Sequence, residues 1–281
     1  MTTDAVAGLG VRRWGSTPAG GTAVLALHGL TGTSAVWADL ADRLEAAVVA
    51  PDLPGRGASV AVAAAPGLPG LAQAVVRVVD ELGPARVVVV GHSMGAFLAP
   101  LVVELLGPRA AGTVLLDGGV PPERSLLHRP LVVRALFGVL TRRLVRRWPD
   151  VDGYTAAAEG RAATDDPDLR EGFRAWSEAV LRPDGDGFRP ALDSRRLVAD
   201  GVDSLTRPSA LDLLHRSGAP VHLLAAAHGT DDRRPPFLSD SAVAAATRVL
   251  PGLMWERLAA NHATMLFHPA VAAAVGRTAA G

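Results

Sequence analysis

Ser93 lies in Gly91-His92-Ser93-Met94-Gly95, a G-x-S-x-G pattern. Four consecutive valines, Val87 to Val90, precede it, and an apolar stretch from Ala96 to Pro100 follows. A serine hydroxyl is a weak nucleophile until a neighbouring base takes its proton, and that base needs a third group to fix its tautomer and stabilise its cation. The chain supplies eight histidines as candidate bases and many carboxylates as candidate orienting groups. It has no cysteine, so a thiol nucleophile, a thiolate metal site and disulfides are excluded. No metal-ligand cluster, phosphate loop or nicotinamide fingerprint is visible, and neither a metal nor a cofactor is expected. Any covalent catalysis must therefore run through oxygen or nitrogen.

That chemistry needs a scaffold that lifts the serine out of the chain. The valines are stiff at χ1 and suit a strand buried on both faces, while the residues after Gly95 open an apolar helix. Strand, sharp turn and helix in that order are the context in which the pattern carries meaning. Residues 23–28 form a second buried strand that runs into His28-Gly29-Leu30-Thr31-Gly32-Thr33-Ser34, with Ser34 as N-cap of a helix over 35–45. Further strands are expected at 47–50, 113–116, 221–226 and 253–258, with helices at 71–82 and 239–250 and an alanine-rich helix at the end. Residues 9–17 suggest an edge strand or hairpin, residues 66–70 a linker. The alternation of strand and helix implies a parallel sheet with right-handed crossovers.

The alternation breaks at Val120, and no strand signal returns until Val221. A structureless loop of that length does not fit a compact domain, so a helical insertion is expected. Its clearest helix is 131–148, where Arg134, Gly138, Arg142 and Arg146 recur at four-residue spacing opposite Leu136, Val139, Leu140 and Leu144. The pattern predicts one wet face and one buried face. Asp150, Asp152, Glu159 and the Asp165-Asp166-Pro167-Asp168 run can offset its charge. Trp148, Tyr154, Phe173 and Trp176 either line a substrate pocket or form a small core of the insertion. Residues 183–187 read as a turn and 190–207 as a polar return.

With these pieces in place, the chain resembles the serine-nucleophile branch of the α/β-hydrolase superfamily that carries a helical cap, over nearly all its length except the variable middle. The resemblance implies an α/β fold with a mostly parallel central sheet and helices on both faces. It divides the chain into a first core part at 1–119, a cap at 120–207 and a second core part at 208–281. It also implies an oxyanion hole from the N–H groups of Leu30 and Met94, with His28, Gly29, Gly91, His92 and Gly95 supporting the two motifs. Family order runs serine, acid, histidine, and the histidine follows the last strand, which selects His262. The family's G-x-x-D after the resuming strand selects Asp232 in Gly229-Thr230-Asp231-Asp232, with Asp231 adjacent. Some relatives take the acid one strand earlier, which here is Asp117. The loop Pro51-Asp52-Leu53-Pro54-Gly55-Arg56-Gly57-Ala58-Ser59 matches one that mainly shapes structure in capped members.

The implied activity is hydrolysis of a carboxylic ester, thioester or lactone through an acyl-enzyme on Ser93. Two other readings compete: the same triad used for C–C bond hydrolysis or a lyase or cyclase step, and an inactive binding protein on the same scaffold. At 281 residues with 28 basic and 28 acidic side chains, the chain has no net field to draw nucleic acid or an anionic membrane. No apolar run reaches the length of a membrane span, and the first residues carry no signal-peptide pattern. The expected setting is the cytoplasm and the expected partner an apolar acyl compound.

Overall fold

A computed structural model describes residues 2–16, 21–121, 129–158 and 166–281. Thr17, His128, Glu159 and Asp165, each part of an expectation above, lie outside these. The first strands are β1 (Thr2–Val6), β2 (Leu9–Trp14), β3 (Thr22–Leu27), β4 (Ala47–Pro51), β5 (Arg86–His92) and β6 (Ala110–Leu116). Later come β7 (Leu181–Asp184), β8 (Gly187–Pro190), β9 (Val221–Ala226) and β10 (Met254–Leu258). One sheet runs in the order β1-β2-β4-β3-β5-β6-β9-β10. From β4 to β10 neighbouring strands are parallel, whereas β2 joins β1 and β4 antiparallel. The expected edge element is therefore a hairpin that begins at Thr2, earlier than the sequence suggested.

Side chains along the central strands alternate between two apolar layers. Leu25, Leu27, Val87, Val89, Leu115, Leu223 and Ala225 enter one layer, and Val24, Ala26, Val88, Val90, Val114, Leu116 and Leu224 the other. A run of valines is what burial on both faces of a parallel sheet demands. Helices α2 (Leu68–Leu82) and α3 (Met94–Leu106) cover the first layer. Helix α1 (Ala38–Asp42) and the terminal α10 (Pro269–Ala280) lie on the second. The helix expected over 35–45 is shorter: Thr33 caps a 3₁₀ turn at Ser34–Trp37, and α1 ends at Asp42. Helix α2 absorbs Leu68 to Gly70, read from the sequence as linker, because Pro69 suits a first turn.

Between β6 and β9 the described residues form α4 (Pro130–Leu144), α5 (Val151–Ala158), α6 (Pro167–Val180), α7 (Ser194–Thr206) and α8 (Leu211–Ser217), together with the β7–β8 hairpin. Two sequence expectations change here. The region is not purely helical, and the polar stretch 190–207 is mostly the helix α7, whose N-cap Asp193 accepts from the N–H groups of Arg195 and Arg196. The burial of α4 also departs from its pattern. Val133, Thr141 and Leu144 face inward, while Leu136, Val139 and Leu140 are exposed. Gly201 on α7 explains the rotation, since a Cβ there would lie 2.9 Å from the Phe137 ring. The ring lies against bare helix backbone, and the stripe containing Phe137 turns inward with it. Helix α9 (Asp240–Val249), capped by Ser239, precedes β10.

Candidate active site

The turn between β5 and α3 holds Ser93 at φ 53 and ψ −117, a conformation that L residues rarely adopt. Its backbone N–H donates to Leu116 O on the neighbouring strand, and its carbonyl accepts from Ala96 and Phe97. Crowding makes both motif glycines obligatory. A Cβ at Gly91 would collide with the carbonyl of Gly95, and one at Gly95 with the carbonyl of Leu27 on β3. Met94 is the first residue of α3, so its N–H belongs to the donors a helix leaves unpaired at its start.

His262 comes to this turn from the loop after β10. Its Nδ1 lies 2.6 Å from Asp117 Oδ2. The other carboxylate oxygen of Asp117 accepts from Ala226 N–H at 3.1 Å, and its backbone N–H donates to Leu224 O. Asp117 is thus pinned at the end of β6 against β9, in a left-handed conformation with φ 44. Asp232 is occupied elsewhere, accepting from Asn261 Nδ2 at 2.9 Å. Asp231 caps Arg233 N–H and pairs with the Arg234 guanidinium. Of the three carboxylates raised by the sequence, the one that meets His262 is Asp117, a correction to the preference for Asp232. The loop after β9 turns both of its carboxylates to its own surroundings, while Asp117 at the end of β6 faces the His262 ring. Strand β6 adjoins β5, the strand that leads into Ser93, and β9 is one place further away. The loop after β9 closes on itself through Gly229 N–H to Arg234 O and supports His262 by backbone, with His262 N–H donating to Gly229 O at 2.9 Å.

Two histidines outside that pair fasten the loops. His92 Nε2 donates to the carbonyl of His262 at 2.8 Å, and the two rings sit 4.6 Å apart. A carbonyl can only accept, so the His92 proton is on Nε2; burial holds this imidazole well below its usual pKa, with His262 nearby acting the same way. Among the described residues no direct hydrogen bond joins the Ser93 hydroxyl to the His262 ring, and in unliganded sites such bonds commonly tighten only with substrate. Phe237 packs edge-on against His262, with ring centroids 4.6 Å apart.

His28 Nδ1 donates to Gly29 O at 2.8 Å, and its Nε2 accepts from Leu53 N–H at 3.0 Å. Burial lowers its pKa to about 4, against a partial opposing pull from Asp52. Gly32 N–H also donates to Gly29 O. The Gly29 carbonyl shares a trans peptide plane with the Leu30 N–H, so fixing one fixes the direction of the other. Asp52 accepts from Ser34 and Ala58 N–H groups, consistent with the structural part given to that loop.

The aromatic residues of the insertion pack among themselves and against the core. Trp148 and Tyr154 meet edge to face in a buried cluster with Val180, Leu181, Leu192 and Leu197, against which the Leu30 side chain also rests. Trp176 stacks on Phe267 with ring centroids 4.7 Å apart, and Phe173 meets both edge-on. These contacts favour the packing alternative over a pocket lining. No group of metal-ligating side chains occurs among the described residues, and no helix there is long and apolar enough to cross a membrane.

Comparison with known proteins agrees with this architecture. The alpha/beta hydrolase family profile matches residues 24–275, and the chain belongs to that family. It is 33% identical over 161 residues to lipase LipV of Mycobacterium tuberculosis, a match covering 54% of this chain and 60% of that protein. It is 34% identical over 170 residues to the dihydrolipoyllysine-residue acetyltransferase component of the acetoin cleaving system of Cupriavidus necator, covering 53% of this chain and 46% of the relative. Each match thus spans less than two thirds of the relative. Among solved structures, E-2-(acetamidomethylene)succinate hydrolase superposes with a TM-score of 0.81 at 20% identity, over 100% of this chain and 99% of that one. At that identity the likeness concerns the fold.

Proposed function

We propose that this hydrolase cleaves a carboxylic ester, thioester or lactone through an acyl-enzyme on Ser93. His262 acts as general base toward the Ser93 hydroxyl, and Asp117 holds its Nδ1–H so that Nε2 is the basic nitrogen. The tetrahedral oxyanion is received by the N–H groups of Leu30 and Met94, the second at the positive end of α3. His262 then protonates the leaving group, and water attacks the acyl-enzyme by the reverse route. The observation that carries this reading is the 2.6 Å contact between Asp117 and His262. It forms where His92, the residue before the strained serine, binds the backbone of that same histidine. The name of the lipase relative points toward the same bond class.

A fluorophosphonate probe tests the proposal. Covalent labelling is expected at Ser93, abolished in Ser93→Ala and strongly slowed in His262→Ala, with turnover of short p-nitrophenyl esters lost in both. Labelling at another residue, or ester turnover that survives Ser93→Ala, would overturn it.

A further inference from the structure

Leu30 is held from three sides, and one of them belongs to the insertion. Its preceding peptide plane is tied through Gly29 O, its carbonyl accepts from Arg56 Nε at 3.0 Å, and its side chain rests on the Trp148–Tyr154 cluster. The Arg56 side chain is fully buried. Its Nη1 donates to Pro54 O at 2.8 Å and to Asp200 Oδ2 on α7 at 2.5 Å, and its Nη2 lies 3.6 Å from Met94 Sδ. One planar guanidinium therefore touches both residues whose N–H groups form the proposed oxyanion hole, and its counter-ion comes from the insertion.

We infer that Arg56 is a positioning residue that couples docking of α7 to assembly of the oxyanion hole, an inference that rests on the acyl-transfer reading above. The core loop and the insertion are clamped on either side of Arg56. Gly57 N–H donates to Ala191 O at 2.8 Å and Asp193 N–H to Gly55 O at 2.9 Å, an isolated antiparallel bridge that pairs Arg56 with Leu192. Asp200 also accepts from Gly67 N–H and from Arg196 Nε, so one carboxylate gathers two cations and a backbone donor. If α7 lifts away, Arg56 loses the only carboxylate it pairs with among the described residues. A buried unpaired cation is not tolerated, so the guanidinium must turn to water and release the Leu30 carbonyl. The hole is then complete only while this part of the insertion is seated.

The test compares wild type with Arg56→Met/Asp200→Leu, which replaces the ion pair by apolar side chains, an exchange that folded proteins commonly tolerate. The double variant also leaves Arg196 and the Gly67 N–H without their carboxylate, so a lower melting temperature is expected, and circular dichroism checks that it is folded before kinetics are read. Its fluorophosphonate labelling rate and kcat for a short ester should fall about 10- to 100-fold, short of the loss on deleting a donor outright, with KM little changed. Affinity for an alkyl boronate, which mimics the oxyanion, should fall in parallel, and Arg56→Lys should restore part of the rate. A folded double variant that labels and turns over at the wild-type rate overturns the inference. If it does not fold, Asp200→Asn carries the test with the same expected split between kcat and KM and the same overturning result. If wild type is not labelled at Ser93, the acyl-transfer reading fails and the inference falls with it, an outcome distinct from wild-type labelling with unaffected variants.

Discussion

Asp117 and His262 are 145 residues apart in sequence and 2.6 Å apart in space, the carboxylate at the end of β6 and the imidazole in the loop after β10. The Asp117 side chain is fully buried and also accepts from Ala226 N–H, which holds its other oxygen toward the ring. In the proposed mechanism this pair decides which imidazole nitrogen faces Ser93.

Asp117→Asn is expected to lower kcat by about 10⁴-fold while leaving KM and the fold nearly intact, because an amide can hold the ring in the wrong tautomer. Asp232→Ala should cost less than about tenfold, since it removes one hydrogen bond to Asn261 worth about 1 kcal/mol. Steady-state kinetics of the two variants decide the matter, and a reversed ranking would return the orienting role to Asp232.

Stability should fall on mild acidification. The folded pKa of His28 is lowered to about 4 by burial, against about 6.5 in the unfolded chain. Below about pH 6.5 the unfolded state therefore binds a proton that the folded state does not, and stability declines until pH reaches about 4. The shift corresponds to about 3 kcal/mol lost across that window, and buried His92, also held low, adds in the same direction. Urea titrations between pH 7 and 4.5 should show His28→Asn less stable at pH 7 but with a shallower slope. An equal slope in the variant would contradict the assignment.

On α4, Leu136→Gln and Val139→Gln should change stability by no more than about 0.5 kcal/mol, because both side chains are about half exposed. Phe137→Ala should cost about 3 kcal/mol, because its ring fills the space above Gly201. Chemical denaturation of the three variants distinguishes the observed rotation of the helix from the one its pattern suggested.

Trp176→Ala should destabilise by about 2 kcal/mol through loss of the stack on Phe267, with KM for short esters changed less than about threefold. A large rise in KM without loss of stability would instead make Trp176 a substrate contact.

Most of the sheet was legible in the sequence because strands buried on both faces leave continuous apolar runs, as Val87 to Val90 do, and the turn around Ser93 announces itself by two glycines that nothing larger can replace. The insertion was less legible. Its β7–β8 hairpin is only four residues a side, and six of those eight residues are polar, glycine or proline, too few apolar positions to show alternation. Helix α4 carries apolar residues around most of its circumference, so periodicity alone could not say which stripe turns inward. The stripe that turns inward sets Phe137 against Gly201, 64 residues later in the chain and invisible to a local pattern.

The residues on which the proposed chemistry rests were legible in local sequence: a serine on an elbow, a histidine in the loop after the last strand, no thiol. Which carboxylate meets His262 was a matter for the tertiary structure: the family pattern pointed to Asp232 in the loop after β9, whereas Asp117, directly after β6, is the one in contact. The physical reason is what each side chain meets once the loops are folded: Asn261 for Asp232, Arg234 for Asp231 and the His262 ring for Asp117. The same holds for Arg56, a loop residue by its motif, whose buried partner Asp200 lies on a helix 144 residues away.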